Sequence, residues 1–472
     1  MVRRPGRDGH PEGPPVQGAD PSRRATLRLA ATAAGAWLAA PLLQGCAGRG
    51  ATSPLPGSAP PRTILRVQLS YHGASPYGGV IRALVDGYIA SHFSARHRGV
   101  AVRTLVPPAA PAASPTAAPE TAARIIAPVV AGTGPDILSG TGYDLPAYLG
   151  AGLLVPLDGF IRGSGLDLGV FDPGHLVILR EVPGGLFGLP AYDGPDVILV
   201  NASLLASAGL AFPPPSWTSP QAVALWQHLS GQRHGRHQWG MSFNLQEYFL
   251  NLFGGQLMDA AGTRCLLDRP LVLEAANWLV PLYQNGVAAV LAGGASANVR
   301  SGVAACGMTG GRSLQADLLA MGGMGVEWDF LPMPVFPGGR RSTYNNGDWY
   351  GINAESKHPR ALLWELFRFV ATDPGLARLL FQTTFVPPNQ RPLWETWLAT
   401  VRAAAPVLRT KRLEYFVQAM DYGFCNRRFR YHPYTCYDIL QRWIIRIFLG
   451  TVSPAAALQR ATAEINALQT PG

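Results

Sequence analysis

The sequence predicts an α/β fold in two lobes, and two observations predict it. At 472 residues the chain exceeds what one hydrophobic core serves, so two lobes follow from size. Stretches of strand and helix character then alternate along the chain in two separate runs, the order that builds parallel sheets covered by helices on both faces. With 47% hydrophobic and 14% charged residues, the chain has the apolar material for large cores and is not of the disordered class.

The first run begins at Thr63. TILRVQLSYHG has a strand pattern ending in a turn, and GGVIRALVDGYIASHF follows with Val80, Ile81, Leu84, Val85, Tyr88 and Ile89 at helical spacing. GVAVRTLV is a second strand. The insert PPAAPAASPTAAPE is too poor in large apolar groups to pack, and it precedes a helix over residues 121–131, a GTG turn and the short strand PDILSG. The second run places a strand at DVILVN, helices at SPQAVALWQHLS and at PLVLEAANWLVPLYQNG with Gly286 as its stop, and a strand at GVAACGMTGG. A helix at PRALLWELFRFVAT and a last one at SPAAALQRATAEINALQ, capped by Ser453, complete it. No short repeat is present, which excludes solenoids and propellers.

The stretch SFNLQEYFLNLF admits two readings. Glu247 either opens a helix that buries Phe249, Leu252 and Phe253, where the helix dipole favours a carboxylate, or faces a ligand together with Tyr248.

Residues 1–46 read as an export leader. Arg23 and Arg24 precede about fifteen small apolar residues, too few to span a bilayer, and Cys46 closes the segment. Residues 47–61, rich in Pro, Gly and small groups, read as a flexible tether. The leader holds +3 of the net charge of +10, and the remaining arginines are scattered rather than massed, which does not favour nucleic acid. The densest cluster, NRRFRYH at 426–432, reads as a solvated loop. Export permits disulfides, and among Cys265, Cys306, Cys425 and Cys436 the easiest closure is Cys425 with Cys436.

No catalytic constellation is present: no G-x-S-x-G elbow, H-E-x-x-H helix, Walker loop or dinucleotide fingerprint. His234 and His237 have no carboxylate beside them, so no metal is expected. Asp136, Asp144 and Asp193 are candidate acids without a visible partner. The reading is a binding protein without cofactor rather than an enzyme.

Five motifs in order then resemble the extracellular solute-binding proteins of ABC importers, in the sugar-binding group. They are GTGPDI followed by GLLVPLD, then GLFGLPAYDGPDVILVNASLLASAGL, PPPSWTSP, GVAACGMTGGRS and GINAESKHPRALLWELFRFVATDPG, together spanning about residues 63–468. The resemblance implies the two-lobed periplasmic-binding-protein-like fold of type II, with a ligand cleft between lobes made of residues 62–190 with 335–386 and 191–334 with 387–472. Passages between lobes are expected near Pro190, Pro334 and Pro387. Arg23 and Arg24 resemble a twin-arginine export motif, and Leu43 to Cys46 resemble a lipobox, which implies lipidation of Cys46 and an anchor outside the cytoplasm.

FNLQEYF resembles the F-N-L-Q-E-P-Y-F of the maltose-binding members, without the proline. Carried over, Glu247 accepts sugar hydroxyls, Tyr248 stacks on a ring, and Tyr437 falls where a stacking tryptophan stands. Gly140, Gly311 and Arg312 replace other tryptophans of those members, and Arg312 points toward an anionic ligand. Ligands of open α/β lobes sit beyond the carboxyl ends of the strands, which adds Tyr71, His72, Ser139, Tyr143, Tyr192, Asp193 and Trp349 as candidates. The implied partners are a sugar or related polar solute and a membrane permease, with the chain a monomer. The alternatives are a polysaccharide-acting enzyme using Asp193 and Glu247, and a sensor without transport.

Overall fold

The computed structural model describes residues 63–469 except 70–77, 106–125, 143, 181–183, 193, 234, 244–251, 292–294, 311–313, 315–325, 346 and 428. All of these belong to the unit Pro54–Gly472. Its strands, in chain order, are β1 (Thr63–Gln68), β2 (Val100–Leu105), β3 (Ile137–Thr141), β4 (Leu189–Tyr192), β5 (Asp196–Asn201), β6 (Gly231–Arg233) and β7 (Arg236–Phe243). Then come β8 (Ala288–Val290), β9 (Ala304–Gly310), β10 (Trp328–Leu331), β11 (Thr343–Tyr344), β12 (Asp348–Ile352) and β13 (Gly423–Phe424).

The strands form two main sheets, one per lobe. The first has the order β2-β1-β3-β12-β4, and the second β10-β5-β9-β7-β6 with β8 beside β7. Helix Gly78–Ile89 connects β1 to β2, and such a crossover returns the chain parallel, with Thr63 opposite Val100. Both sheets are mixed, as the two-lobed fold class allows. β12 runs antiparallel to β3 and β4, and β5 antiparallel to β9 and β10, because these strands enter from distant chain and not through a strand–helix–strand unit. β5 has all six residues buried, as its apolar run DVILVN requires of a strand covered on both faces.

The helices carry the expected signals. Thr218 and Gln221 form a capping box before Ser219–Leu229. Gly286, at φ 68°, follows the end of Pro270–Gln284, and Ser453 accepts from the Ala456 amide at the start of Pro454–Leu468. The first core gathers Leu65, Val67, Ile81, Tyr148, Trp349 and Phe367, and the second Ile198, Trp226, Met241, Leu279, Trp443 and Ile465. Among the described residues no helix is long and apolar enough to cross a membrane.

The chain passes out of the first sheet after Tyr192 and re-enters it at Asp348. The two passages lie side by side: Pro195 bridges Asn345, and the Gly194 amide donates to Asn345 Oδ1 at 2.8 Å. The return therefore comes after Tyr344 and not near Pro334. Residues around Pro334 are tied to the second lobe, where Trp217 Nε1 donates to the Pro332 carbonyl at 2.9 Å and the Val335 amide to Trp217 at 2.8 Å. At the third passage, Asn389 Nδ2 donates to the carbonyls of Pro190 and Ala371. Beyond it Arg391 pairs with Asp172 on the first lobe, and Arg412 with Asp329 on the second.

The G-x-G-P-D stretch is structural. A Cβ on Gly134 would come within 2.7 Å of the Val129 Cα. Asp136, a candidate acid by sequence, is 5% exposed, and its carboxylate accepts from the Arg66 amide at 2.7 Å and from Ser356 Oγ at 2.6 Å. It joins β1, β3 and the loop after β12. The four cysteines of the described chain are free thiols, so Cys425 and Cys436 are not bridged. Cys425 Sγ turns to the Asn345 carbonyl at 3.2 Å, while Cys436, in the first turn of helix Pro433–Phe448, packs against Gln469 Nε2 at 3.1 Å.

Candidate functional site

Three of the sequence candidates meet at one end of the first sheet. Trp349 pairs with Gly140 and Tyr350 with Ser139, while Asp348 faces both Thr141 and Tyr192, so Ser139, Trp349 and Tyr192 lie on neighbouring strands. Their side chains are turned into packing. Ser139 is 1%, Tyr192 2% and Trp349 0% exposed, so none of the three presents an open face. Trp349 Nε1 donates to the Thr141 carbonyl at 2.8 Å. The same indole explains Gly140: a Cβ there would sit 2.9 Å from Trp349 Cζ2, so the glycine makes room for a ring supplied by β12.

Beyond the strand end the chain turns on Asp144, whose Oδ2 accepts from the Thr141 amide at 2.8 Å and from Thr141 Oγ1 at 2.9 Å. This aims the following helix, Leu145–Gly150, and with it Tyr148, which meets Trp349 edge-on at 5.3 Å between ring centres. From the second lobe, helix Pro433–Phe448 brings Tyr434 toward the same place, and Tyr437 follows one turn later, packed against the second core. The hydroxyls of Tyr148 and Tyr434 are buried and without hydrogen-bond partner. Burial raises both phenols well above the ordinary range, and the Asp144 carboxylate raises both further. Two neutral phenols from opposite lobes thus flank one carboxylate, an arrangement for hydrogen-bonding a polar solute rather than for proton transfer near neutral pH.

A third buried polar group lies at the start of β5. Asp196 is 3% exposed, its Oδ2 has no partner, and desolvation pushes its carboxyl up to about 8. A Cβ on Gly310, the last residue of β9, would come within 2.5 Å of its Oδ1.

Among the lobe-facing elements, helix Leu145–Gly150 with Val177, Ile178 and Arg180 stands opposite residues 260–262 and Arg427, Arg430 and Tyr431 across a pocket of about 180 Å³. The cluster at 426–432 is therefore no solvated loop: Asn426 is 0% and Phe429 5% exposed. Tyr71, His72, Tyr143, Asp193, Glu247, Tyr248, Gly311, Arg312 and the lipidation candidate Cys46 lie outside the described residues. His237 Nε2 is engaged at 2.8 Å with the Gly286 carbonyl, and no group of metal-ligating side chains occurs among the described residues. Tyr148, Tyr434 and Asp196 were not singled out by sequence. Their only signal is a polar group within an apolar stretch, shared with many core residues.

Comparison with known proteins places this geometry. Residues 89–377, more than half of the chain, match the family of bacterial extracellular solute-binding proteins. Solved structures with the same fold include an ABC substrate-binding protein from Listeria monocytogenes in complex with cycloalternan, at 15% identity and TM-score 0.66, covering 86% of this chain and 98% of that one. The sugar-binding protein MalE from Xanthomonas citri is 18% identical with TM-score 0.66, over 86% and 97% of the two chains. UgpB from Mycobacterium tuberculosis, in complex with glycerophosphocholine, is 16% identical with TM-score 0.67, over 87% and 98%. At these identities the structures establish the fold, α/β in two lobes, and the family match establishes the kinship. The chain belongs to the bacterial extracellular solute-binding protein family.

Proposed function

We propose that the chain binds a sugar or a related polar solute between its lobes and delivers it to the permease of an ABC importer. The observation that carries this reading is the convergence on Asp144 of Tyr148 from the first lobe and Tyr434 from the second, both with buried, unpartnered hydroxyls. Buried polar groups without partners are costly, and a solute rich in hydroxyls supplies what they lack. The family is one of binding proteins and not enzymes, which sets aside the polysaccharide-cleaving alternative. Relatives of the same fold have been solved with cycloalternan, maltotriose and glycerophosphocholine, all polar and rich in oxygen. Glu247 would accept solute hydroxyls, with Tyr248 and Tyr437 stacking on a ring, and a lipid on Cys46 would hold the chain to the membrane.

Ligand contacting both lobes favours the closed state by its differential affinity for it. Thermal unfolding of the full chain against sugars, oligosaccharides, polyols and sugar phosphates tests the reading. A compound at a hundredfold its dissociation constant adds about 2.7 kcal/mol, a rise of about 5 to 10 °C for lobes of this size. Loss of that rise in Tyr434→Phe ties it to the cleft. A flat response across the panel contradicts the proposal, and recovery of Cys46→Ala in the membrane fraction contradicts the anchor.

A further inference from the structure

The interlobe pocket has an uneven chemical lining. Its first-lobe wall is apolar, with Pro146, Leu149 and Ile178, while Arg427 and Arg430 line it from the second lobe and Arg180 from the first. Among the described residues that line it there is no carboxylate. Behind it, Asp158 Oδ1 stands 3.3 Å from Arg180 Nη1 and orients that guanidinium.

The arginine loop is built into the lobe. The Arg430 amide donates to the Gly262 carbonyl at 3.0 Å, and the Tyr431 amide to Gln469 Oε1 at 3.1 Å. Gln469 Nε2 returns a bond to the Tyr431 carbonyl at 2.7 Å, and Gln469 itself is 4% exposed. Guanidinium-bearing residues from both lobes line one pocket, so an anion placed there is attracted from both sides at once. A guanidinium presents paired donors that match phosphate or carboxylate. The volume, about 180 Å³, lies below the roughly 300 Å³ at which whole-ligand sites begin, so the pocket suits one acidic group on a small carbon skeleton.

We infer that the solute bound between the lobes is a sugar or polyol bearing a phosphate or carboxylate, and that Arg427, Arg430 and Arg180 hold its acidic group. This rests on the proposed reading of the cleft as the binding site. Calorimetric titration of the full chain with glycerol 3-phosphate, glucose 6-phosphate and glucuronate, each against neutral glycerol or glucose, tests it. The acidic compounds are expected to bind at least about tenfold more tightly than their neutral parents, with the advantage shrinking at high salt. Whether phosphates or glucuronate gain more identifies the acidic group. Arg427→Gln with Arg430→Gln should weaken the acidic compounds on the order of tenfold to a hundredfold and leave the neutral parents unchanged. Arg180→Gln, on the other lobe, should act in the same direction, and it keeps the test valid if the double variant folds poorly. Neutral sugars binding as tightly as acidic ones, with the arginine variants indifferent, overturn the anionic assignment and leave the sugar-binding reading standing. Absence of binding by every compound overturns that reading and this inference with it.

Discussion

Asp196 illustrates what a single residue contributes. Buried at the start of β5 with one oxygen unpartnered, it has a carboxyl pushed up to about 8 by desolvation. An unfolded aspartate ionises near 4, so between these values the native state retains a proton that the unfolded state has lost. Stability therefore falls as pH rises through this window, by up to about 1.4 kcal/mol per pH unit, and levels off above the folded value. Asp196→Asn removes the titration, so its unfolding temperature should change less between pH 5 and pH 8 than that of the parent chain. Equal slopes in the two proteins, measured by thermal unfolding across that range, would contradict the assignment. The sequence presents this residue only as the first letter of a good strand, DVILVN. Likewise it puts Ser139, Tyr192 and Trp349 at the carboxyl ends of strands, whereas Tyr192 ends β4, Ser139 lies inside β3 and Trp349 stands near the start of β12, and alternation along a strand does not tell which face looks into the cleft. Here the sheet turns all three inward.

At the scale of elements, the helices with clear stop and start signals were legible: Ser219–Leu229, Pro270–Gln284 and Pro454–Leu468 form as their caps indicate. Helix Pro433–Phe448 is not among the elements expected from the sequence, although Leu440, Trp443, Ile444 and Ile447 form a buried stripe of helical period. Strands β4, β10 and β12 are short and take their partners from distant chain, so local pattern alone does not announce them. β7 depends on a close approach that only glycine allows. A Cβ on Gly240 would stand 2.0 Å from the Trp226 carbonyl oxygen, on the helix lying against the sheet. Gly240→Ala should cost about 3 kcal/mol, because backbone on both sides must shift. Denaturant unfolding checks it, and a loss under about 0.5 kcal/mol would show that the helix and sheet are not held at this distance.

For the whole molecule, size and alternation predicted two lobes, and the motif order predicted the family. The lobes are joined by neighbouring passages at Gly194–Pro195 and at Asn345, which are bonded to each other, with a third near Asn389. Such a hinge lets one lobe rotate on the other while each core stays intact. The cleft chemistry was less legible, since Asp144 and Tyr148 on one side and Arg427, Arg430 and Tyr434 on the other come from two segments far apart in sequence that the fold brings together. The central claim is that a solute engages both lobes at once. Hydrogen exchange of the full chain, with and without the tightest-binding compound of the panel, measures this most directly. Protection rising together in residues 141–150 of the first lobe and 427–437 of the second is the expected result, whereas protection confined to one lobe would contradict an interlobe binding site.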